Sequence, residues 1–430
     1  MVEKKIPMFC CVRQHIAEWR QLMRWRILQC KATKYTSTLT VARPPSLMLF
    51  PCDSGSVIGS RGDEAMVYAI LSDFRNQHPE GRIVVVTTSS SFADSSDGRR
   101  LRADFSPSLV IRPTPGGLKN FFQLFLVERP TEVYALGADC MDGYYSPFTS
   151  VNLLGVCDLA TRLGIPSVLT SFSWNDHPHA AVVRAFRFIT PRLLVLVRDP
   201  ASFARFTKGV SRTQGARVEL VADVAFNLQP KNSAVVRMEL DWMAAEKRRG
   251  QFVLGFNLHA MLVPATELSD FIVRVAHALE VFLAAHPNVS LVFIPHDYRD
   301  GGDLAVLKQL HAAIKAQNVR IPVADHSLSA AELKALTRGL DALFSSRMHL
   351  AIATLGQGKP VAGFAYQGKF AGLFRHFDLP ETLILSPGNV TDLPHVLTDL
   401  VNGTQTLTTM VSDRLPHVLE LAHRNLISSP

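Results

Sequence analysis

The 430-residue chain contains no CxxC pair, and its six cysteines, at positions 10, 11, 30, 52, 140 and 157, form no His/Cys cluster at zinc spacing. A disulfide or zinc framework is therefore excluded as the organising principle, and a reduced, cytoplasmic compartment is the simpler reading. No run of about 18 uncharged apolar residues occurs, so no membrane-spanning helix is predicted. The N-terminus lacks the apolar core of a secretory signal, because Arg13, Glu18, Arg20, Arg24 and Arg26 interrupt it. Internal repeats and low-complexity tracts are missing too, which excludes a solenoid. Neither GxGxxG nor GK[ST] is found, so neither a dinucleotide nor an ATP site is supported.

What is present reads as an ordinary folded protein. Hydrophobic residues make up 47% and charged residues 19%, too apolar a balance for a disordered chain. The length predicts two domains, each able to bury its own core. The net charge is +8, and the first 44 residues hold nine Lys or Arg against two Glu, so the body is nearly neutral. Nucleic-acid binding by the body is not suggested, whereas a basic arm suits an anionic surface. Within that arm Val12, Ile16, Trp19, Met23 and Ile27 recur at 4, 3, 4, 4 spacing, with Arg13, Arg20 and Arg24 on other faces. The pattern predicts an amphipathic helix. Three readings stay open: a helix lying on an anionic membrane, an extension packed on its own domain, or a disordered leader.

Beyond the arm, short β-branched runs alternate with helix-like segments. Residues 83–89 (IVVVTTS), 133–139 (VYALGAD), 166–173 (PSVLTSFS) and 193–199 (LLVLVRD) each end in a polar or glycine-containing turn, as buried parallel strands do before a crossover helix. A less patterned stretch comes next, and the rhythm restarts with 252–259, 291–297, 342–347 and 360–366. The predicted organisation is α/β: a basic N-terminal arm over 1–45, a Rossmann-like domain over 46–235, a connection over 236–250, and a second Rossmann-like domain over 251–430 that closes in helices.

Ligands of such sheets sit outside the carboxyl ends of the strands, which directs attention to the turns. Gly55, Gly59 and Gly62 form a glycine loop feeding a helix near Asp63, an arrangement suited to an anion. Asp63 and Glu64 read equally as helix caps. Arg198 lies just past one apolar strand, while Ser345, Ser346, Arg347 and His349 lie just past another. Each arginine reads either as a structural ion-pair partner or, with the other, as a two-pronged grip on a phosphate or carboxylate. His349 is a candidate general acid or base. Asp139, Asp142, His296 and Asp297 lie at strand ends or turns, where they would orient hydroxyl groups or simply shape the turn.

Several segments carry a family resemblance: GDEAM (62–66), GADCMDGYYS (137–146), VRDPAS (197–202), VADVAF (221–226), FIPHD (293–297), SSRMHLAIATLGQGKPV (345–361) and YQGKFAGLFRHF (366–377). In this order, over about Pro51 to Leu385, the chain resembles the polysaccharide pyruvyltransferase family, with SRMH, LGQGKPV and YQGKF the most specific pieces. The resemblance implies two Rossmann-like domains facing across a cleft, the GT-B arrangement. It also implies transfer of the pyruvyl group of phosphoenolpyruvate onto two hydroxyls of a sugar in an exopolysaccharide, capsule or cell-wall glycan precursor, forming a cyclic ketal. On this reading Arg198, Arg347 and Met348 bind the donor, with Lys369 and the loop of Gly59 and Gly62 at its phosphate. His349 is the acid/base, and Asp63, Asp139, Asp142, His296 and Asp297 meet the acceptor. No metal or cofactor is required, phosphoenolpyruvate being a substrate.

A saccharide acceptor carried on a lipid would place the enzyme at the inner face of the cytoplasmic membrane, where the basic arm would make peripheral contact. Competing readings are a GT-B glycosyltransferase using a nucleotide sugar, a non-catalytic glycan-binding protein, and a membrane-associated scaffold. The persistence of Arg198, Arg347 and His349 argues against loss of catalysis.

Overall fold

The computed structural model describes residues 8–35, 44–89, 91–107, 117–210, 215–316, 318–321, 327–365 and 369–427, with side chains at all of these except 8–13, 33–35, 107, 117–118, 121–122 and 369. Its strands lie in two wholly parallel sheets, one of seven and one of six. By their internal contacts the residues group into two compact units, one holding 1–59, 70–224 and 424–430, the other 60–69 and 225–423.

The first unit contains β1 (Ser46–Phe50), β2 (Arg82–Thr87), β3 (Asp104–Pro107), β4 (Glu132–Ala138), β5 (Ser167–Phe172), β6 (Leu194–Val197) and β7 (Arg217–Leu220). Their order is β3-β2-β1-β4-β5-β6-β7. Every residue of β5, and every residue of β4 after Glu132, is buried, the signature of strands covered on both faces. The helix Pro147–Arg162 opens with Ser146, whose side chain accepts from the Thr149 amide, followed by Pro147 at the first turn. Residues 150–161 of this helix are buried without a break. Such a helix must be covered on every side.

Part of that cover is the helix Met8–Tyr35. Leu22, Trp25, Leu28 and Ala32 enter the core, while Gln21 donates to Asn152 Oδ1 at 2.8 Å and to the Phe148 carbonyl at 3.0 Å. Trp25 Nε1 and Gln29 Nε2 both donate to Asp158 Oδ2, at 3.1 and 2.8 Å. The arm is thus an extension packed on its own unit. The face that packs is not the one its spacing singles out: Ile16, Trp19, Met23 and Ile27 are exposed, and Glu18, Gln21 and Gln29 are buried. The reason is the polar pair Asn152 and Asp158, both fully buried on the partner helix, which needs hydrogen-bonding side chains rather than aliphatic ones. The side chain of Val12 lies outside those described.

At the other end of the chain Asn425 returns to this unit. Its Nδ2 donates to the Ala222 carbonyl at 2.8 Å, and its Oδ1 accepts from Thr170 and Ser171.

The second unit contains β8 (Phe252–Asn257), β9 (Val289–Phe293), β10 (Val319–Arg320), β11 (Ala342–Ser345), β12 (Val361–Phe364) and β13 (Ile384–Leu385), ordered β10-β9-β8-β11-β12-β13. The order reverses between β8 and β11, which makes their carboxyl ends the natural ligand-facing edge. Phe256 and Phe344 stack at 5.3 Å across these two strands. On the far side of β11, Gly363 permits a close approach of β12: a Cβ there would lie 2.0 Å from the Ser345 carbonyl oxygen. Most of the stretch read as a connection, 236–250, is the helix Ala234–Arg248, grouped with this unit. Its N-cap Ser233 accepts from the Val236 amide.

Candidate active site in the second unit

The carboxyl ends of β8, β9 and β11 converge on one carboxylate. Asp303, fully buried, begins the helix Asp303–Ala313 just after Gly301 and Gly302. Its Oδ2 accepts from Asn257 Nδ2, at the end of β8, at 3.0 Å and from the His296 amide, beyond β9, at 3.2 Å. Arg347, beyond β11, donates from Nε to both oxygens of Asp303, at 3.1 and 3.0 Å, and from Nη2 to Oδ1 at 2.7 Å. The same Nη2 reaches Asp297 Oδ2 at 3.1 Å. This is a fork-on-carboxylate pair, and it leaves Nη1 outside the set.

The serines of SSRMH explain how the arginine is aimed. Ser345 Oγ donates to the Arg347 carbonyl and accepts from the Arg347 amide, both at 3.0 Å, locking the turn that ends β11. Ser346 Oγ accepts from the His259 amide at 2.6 Å and lies 3.2 Å from Asn257 Oδ1, tying the ends of β8 and β11 together. Arg347 then takes the N-cap position of the helix Met348–Leu355, so Met348 and His349 fall in its first turn. Their local order results from a strand that stops at a serine and a helix that starts one residue after the arginine.

His349 rests on a glycine. A Cβ on Gly62 would lie 2.3 Å from His349 Nδ1 and 2.8 Å from its Cγ, so only a residue without a side chain fits beneath the ring. Gly62 stands at the start of the helix Arg61–Gln77. There Ser60 supplies the capping side chain: its Oγ accepts from the Asp63 amide at 3.1 Å and donates to Asp63 Oδ2 at 2.7 Å. Arg61 donates from Nη1 to Glu64 Oε2 at 2.7 Å and from Nη2 to Ser327 Oγ at 2.5 Å, and its guanidinium lies 5.4 Å from the centre of the Tyr298 ring. Its Nε is buried with no hydrogen-bond partner among the described residues.

Two electrostatic features define the cluster. His296 is 5% exposed, and burial, with the positive charges of Arg347, His349 and Arg61, holds its imidazolium form far below the usual histidine range. It is a neutral ring at physiological pH, and its buried Nδ1 has no hydrogen-bond partner among the described residues. Asp297 behaves in the opposite way. Burial works against its charge, but the bonds from Arg299 and the nearby charge of Arg347 outweigh it and hold the carboxyl at about 2. Buried Asp303 is pushed up by desolvation, with Arg347 and Asn257 opposing.

The remaining expected residues are found elsewhere or in other company. Arg198, at the end of β6 in the first unit, is 4% exposed and donates from Nε to Ser173 Oγ at 2.7 Å and from Nη1 to Asp223 Oδ2 at 3.0 Å. Asp142, also in the first unit, is a turn former: it accepts from the Tyr144 amide at 2.9 Å and the Asn175 amide at 3.3 Å. Asp139 accepts from Tyr145 Oη at 3.1 Å. In the loop that leads to Gly59, the Gly55 and Ser56 amides donate to Asp53, so a carboxylate of the chain already occupies them. Lys369 begins the helix Lys369–His376; its side chain and residues 366–368 of the YQGKF motif lie outside those described.

Sequence reasoning missed Arg61, Asn257, His259 and Asp303. Asp303 had a signal in Gly301–Gly302–Asp303, a turn delivering a carboxylate to a helix start. Among the described residues no group of three or more His, Cys, Asp and Glu is placed to hold a metal ion.

The family model for polysaccharide pyruvyl transferase matches residues 61–368, from Arg61 in the helix beneath His349 to the end of the YQG motif. The chain belongs to that family. The match spans most of the chain and includes the Arg347–His349 cluster. No curated protein is matched. Among solved structures the chain is similar to a Staphylococcus aureus MnaA–UDP complex, at 11% identity and TM-score 0.55, over 90% of this chain and 99% of that one. It is similar to UDP-GlcNAc 2-epimerase from Neisseria meningitidis bound to UDP-GlcNAc, at 11% identity and TM-score 0.52, over 88% and 97%. A glycosyltransferase from Rickettsia africae matches at 10% identity and TM-score 0.50, over 90% and 100%. At such identities these likenesses establish the fold alone, and for this transferase family member it is the GT-B fold class with two Rossmann-like units.

Proposed function

We propose that the protein transfers the pyruvyl group of phosphoenolpyruvate to two hydroxyls of a saccharide acceptor, releasing phosphate and leaving a cyclic ketal. The observation that carries this reading is the cluster at the β8/β11 switch point, where two arginines and two histidines gather in a chain of this family. Phosphoenolpyruvate presents a phosphate and a carboxylate, and fixed guanidinium groups suit both. Arg347 is held rigid by Asp303 and Asp297, so its Nη1 meets the anion without the entropic cost of ordering a long side chain. Met348 lies beside it. Arg198, Gly59, Gly62 and Lys369 are assigned to the donor by the family resemblance.

In the reaction, protonated His349 gives its proton to the methylene carbon of the donor, turning CH2 into CH3 and leaving a cationic carbon. One sugar hydroxyl attacks that carbon and loses its proton to the now neutral imidazole. The second hydroxyl then displaces phosphate, which departs with that hydroxyl's proton, and the ketal closes. His296, kept neutral, both accepts and donates hydrogen bonds without repelling the cationic carbon, and with Asp297 it orients the acceptor hydroxyls. Asp63, Asp139 and Asp142 are assigned to the acceptor by the family resemblance. The pairs Arg347–Asp303 and Arg61–Glu64 nearly cancel in charge, so the donor is recognised by geometry rather than by a broad positive field.

Calorimetric titration of the full chain with phosphoenolpyruvate and with a panel of UDP-sugars tests the reading. Selective binding of phosphoenolpyruvate is expected. Binding of a UDP-sugar with no response to phosphoenolpyruvate would move the protein to the nucleotide-sugar glycosyltransferases and overturn the proposal.

A further inference from the structure

The N-terminal helix presents to solvent the side chains that water should least favour. Trp19 is 61% exposed, Ile27 57%, Ile16 45% and Met23 37%. At about 100° per residue these four, with exposed Cys30, fall within a stripe about 80° wide. Their exposure does not come from a loosely attached helix. The opposite face is fixed by Trp25 in the core and by the bonds of Gln21, Trp25 and Gln29 to Asn152 and Asp158. The stripe is therefore the surface that remains after the helix has satisfied its own unit. A contiguous apolar surface of this kind marks an interaction site.

The charges beside the stripe select its occupant. Arg20, Arg24 and Lys31 are exposed along one border and Arg26 along the other, where its guanidinium lies 4.7 Å from the centre of the Phe188 ring. Exposed Arg187 and Arg192 flank Phe188 in sequence. The single acid among residues 14–32 is Glu18, which is 2% exposed and contacts His15 and His179. A second copy docking on this stripe would set arginine against arginine with no exposed acid on the helix to relieve it. Anionic headgroups would neutralise both borders while the acyl boundary takes Ile16, Met23 and Ile27, and Trp19 suits the interface between the two.

We propose that this face of the helix Met8–Tyr35 is a membrane-docking surface for bilayers containing anionic phospholipid, seating the protein on the membrane without inserting it. The proposal does not depend on the transfer reaction.

The test is sedimentation of the full chain with vesicles of phosphatidylcholine alone and of phosphatidylcholine with phosphatidylglycerol. Binding is expected only to the anionic vesicles, with release as salt shortens the screening length from about 10 Å at 0.1 M to about 3 Å at 1 M. The triple variant Arg20→Gln, Arg24→Gln, Lys31→Gln is expected to lose roughly a hundredfold in partitioning, about fivefold per charge. Ile16→Ser with Ile27→Ser is expected to lose at least about tenfold. Because both sets are on the surface, thermal melting should be unchanged. Should either variant fail to fold, quenching of the wild-type protein by brominated phosphatidylglycerol gives a second reading: it should occur and should be lost in Trp19→Phe. The proposal is overturned by equal binding to both vesicle types, by no binding to anionic vesicles, by full partitioning of the charge variant, or by quenching that survives Trp19→Phe.

Discussion

Arg198 and Arg347 look like the same feature in the sequence, an arginine closing an apolar strand, and the folded chain gives them different surroundings. Arg198 is buried in the first unit against Ser173 and Asp223. Its neighbourhood resembles a core ion pair. Arg347 has two carboxylates and two histidines around it, and its side chain keeps 17% exposure. The difference lies in the residues that come next in the chain. After β6 the chain reads Arg-Asp-Pro, and Asp199 caps the next helix by accepting from the Ser202 amide at 2.8 Å. After β11 it reads Ser-Ser-Arg-Met-His, where the serines hold the backbone and the histidine falls in the helix's first turn. A strand-end arginine is thus informative about chemistry only together with the titratable groups its neighbours deliver.

The sharpest way to break this comparison is to remove the proton donor alone. His349→Gln keeps a polar side chain above Gly62 and is expected to cut transfer by about 10² to 10⁴-fold, with phosphoenolpyruvate binding retained. Turnover near wild type would end the assignment of His349. Next in size are the arginines. Arg198→Ala removes the guanidinium paired with buried Asp223 and should cost about 3–5 kcal/mol of stability, read by denaturant melts. Arg347→Ala strands Asp303, which is fully buried, and a loss toward the lower end of that range is expected. An inactive Arg347→Ala protein is therefore not evidence of a donor contact by itself. Calorimetry on whatever folded protein remains must show weakened phosphoenolpyruvate binding, and unaltered affinity would assign Arg347 to structure alone.

Much of this arrangement was legible before the fold was known. The βα rhythm marked β2, β4, β5, β6, β8, β9, β11 and β12 because each carries an apolar run bounded by a turn. Missed were β1, whose Leu-Met-Leu-Phe core suits a helix as well as a strand, and β3, β7, β10 and β13 at or near the sheet edges. Arg217-Val-Glu-Leu in β7 has no apolar run because an edge strand needs none. The N-terminal helix was legible as a helix, but its inward face was not: no periodicity rule anticipates that buried Asn152 and Asp158 will call for Gln21, Trp25 and Gln29. In the site, Arg347, His349, His296 and Asp297 stood out by type and position, whereas Asp303 and Asn257 act through partners far away in sequence.

Two smaller tests sharpen the picture of the second unit. Gly62→Ala places a methyl group where the His349 ring sits, so the ring must move by something near an ångström, and about a hundredfold loss of transfer is expected with little change in melting temperature. An unaffected rate would mean that the ring position does not matter. The last test concerns His296, whose proton affinity folding depresses. An unfolded chain binds a proton at this site below about pH 6.5 while the folded one does not. Stability from this group is therefore complete above about pH 6.5 and falls as the pH drops through that value toward the folded pKa, by up to about 1.4 kcal/mol per unit. Asp297, held at about 2, adds loss in the same direction only below about pH 4, where the unfolded carboxylate begins to protonate. Within this cluster the loss of stability between pH 7 and 5 is the histidine's, the raised carboxyl of Asp303 working in the opposite direction, and His296→Gln should flatten or reverse the slope in urea melts across that window. An unchanged slope would mean that folding does not depress the proton affinity of the ring, and its role as the neutral partner of the acceptor would fall.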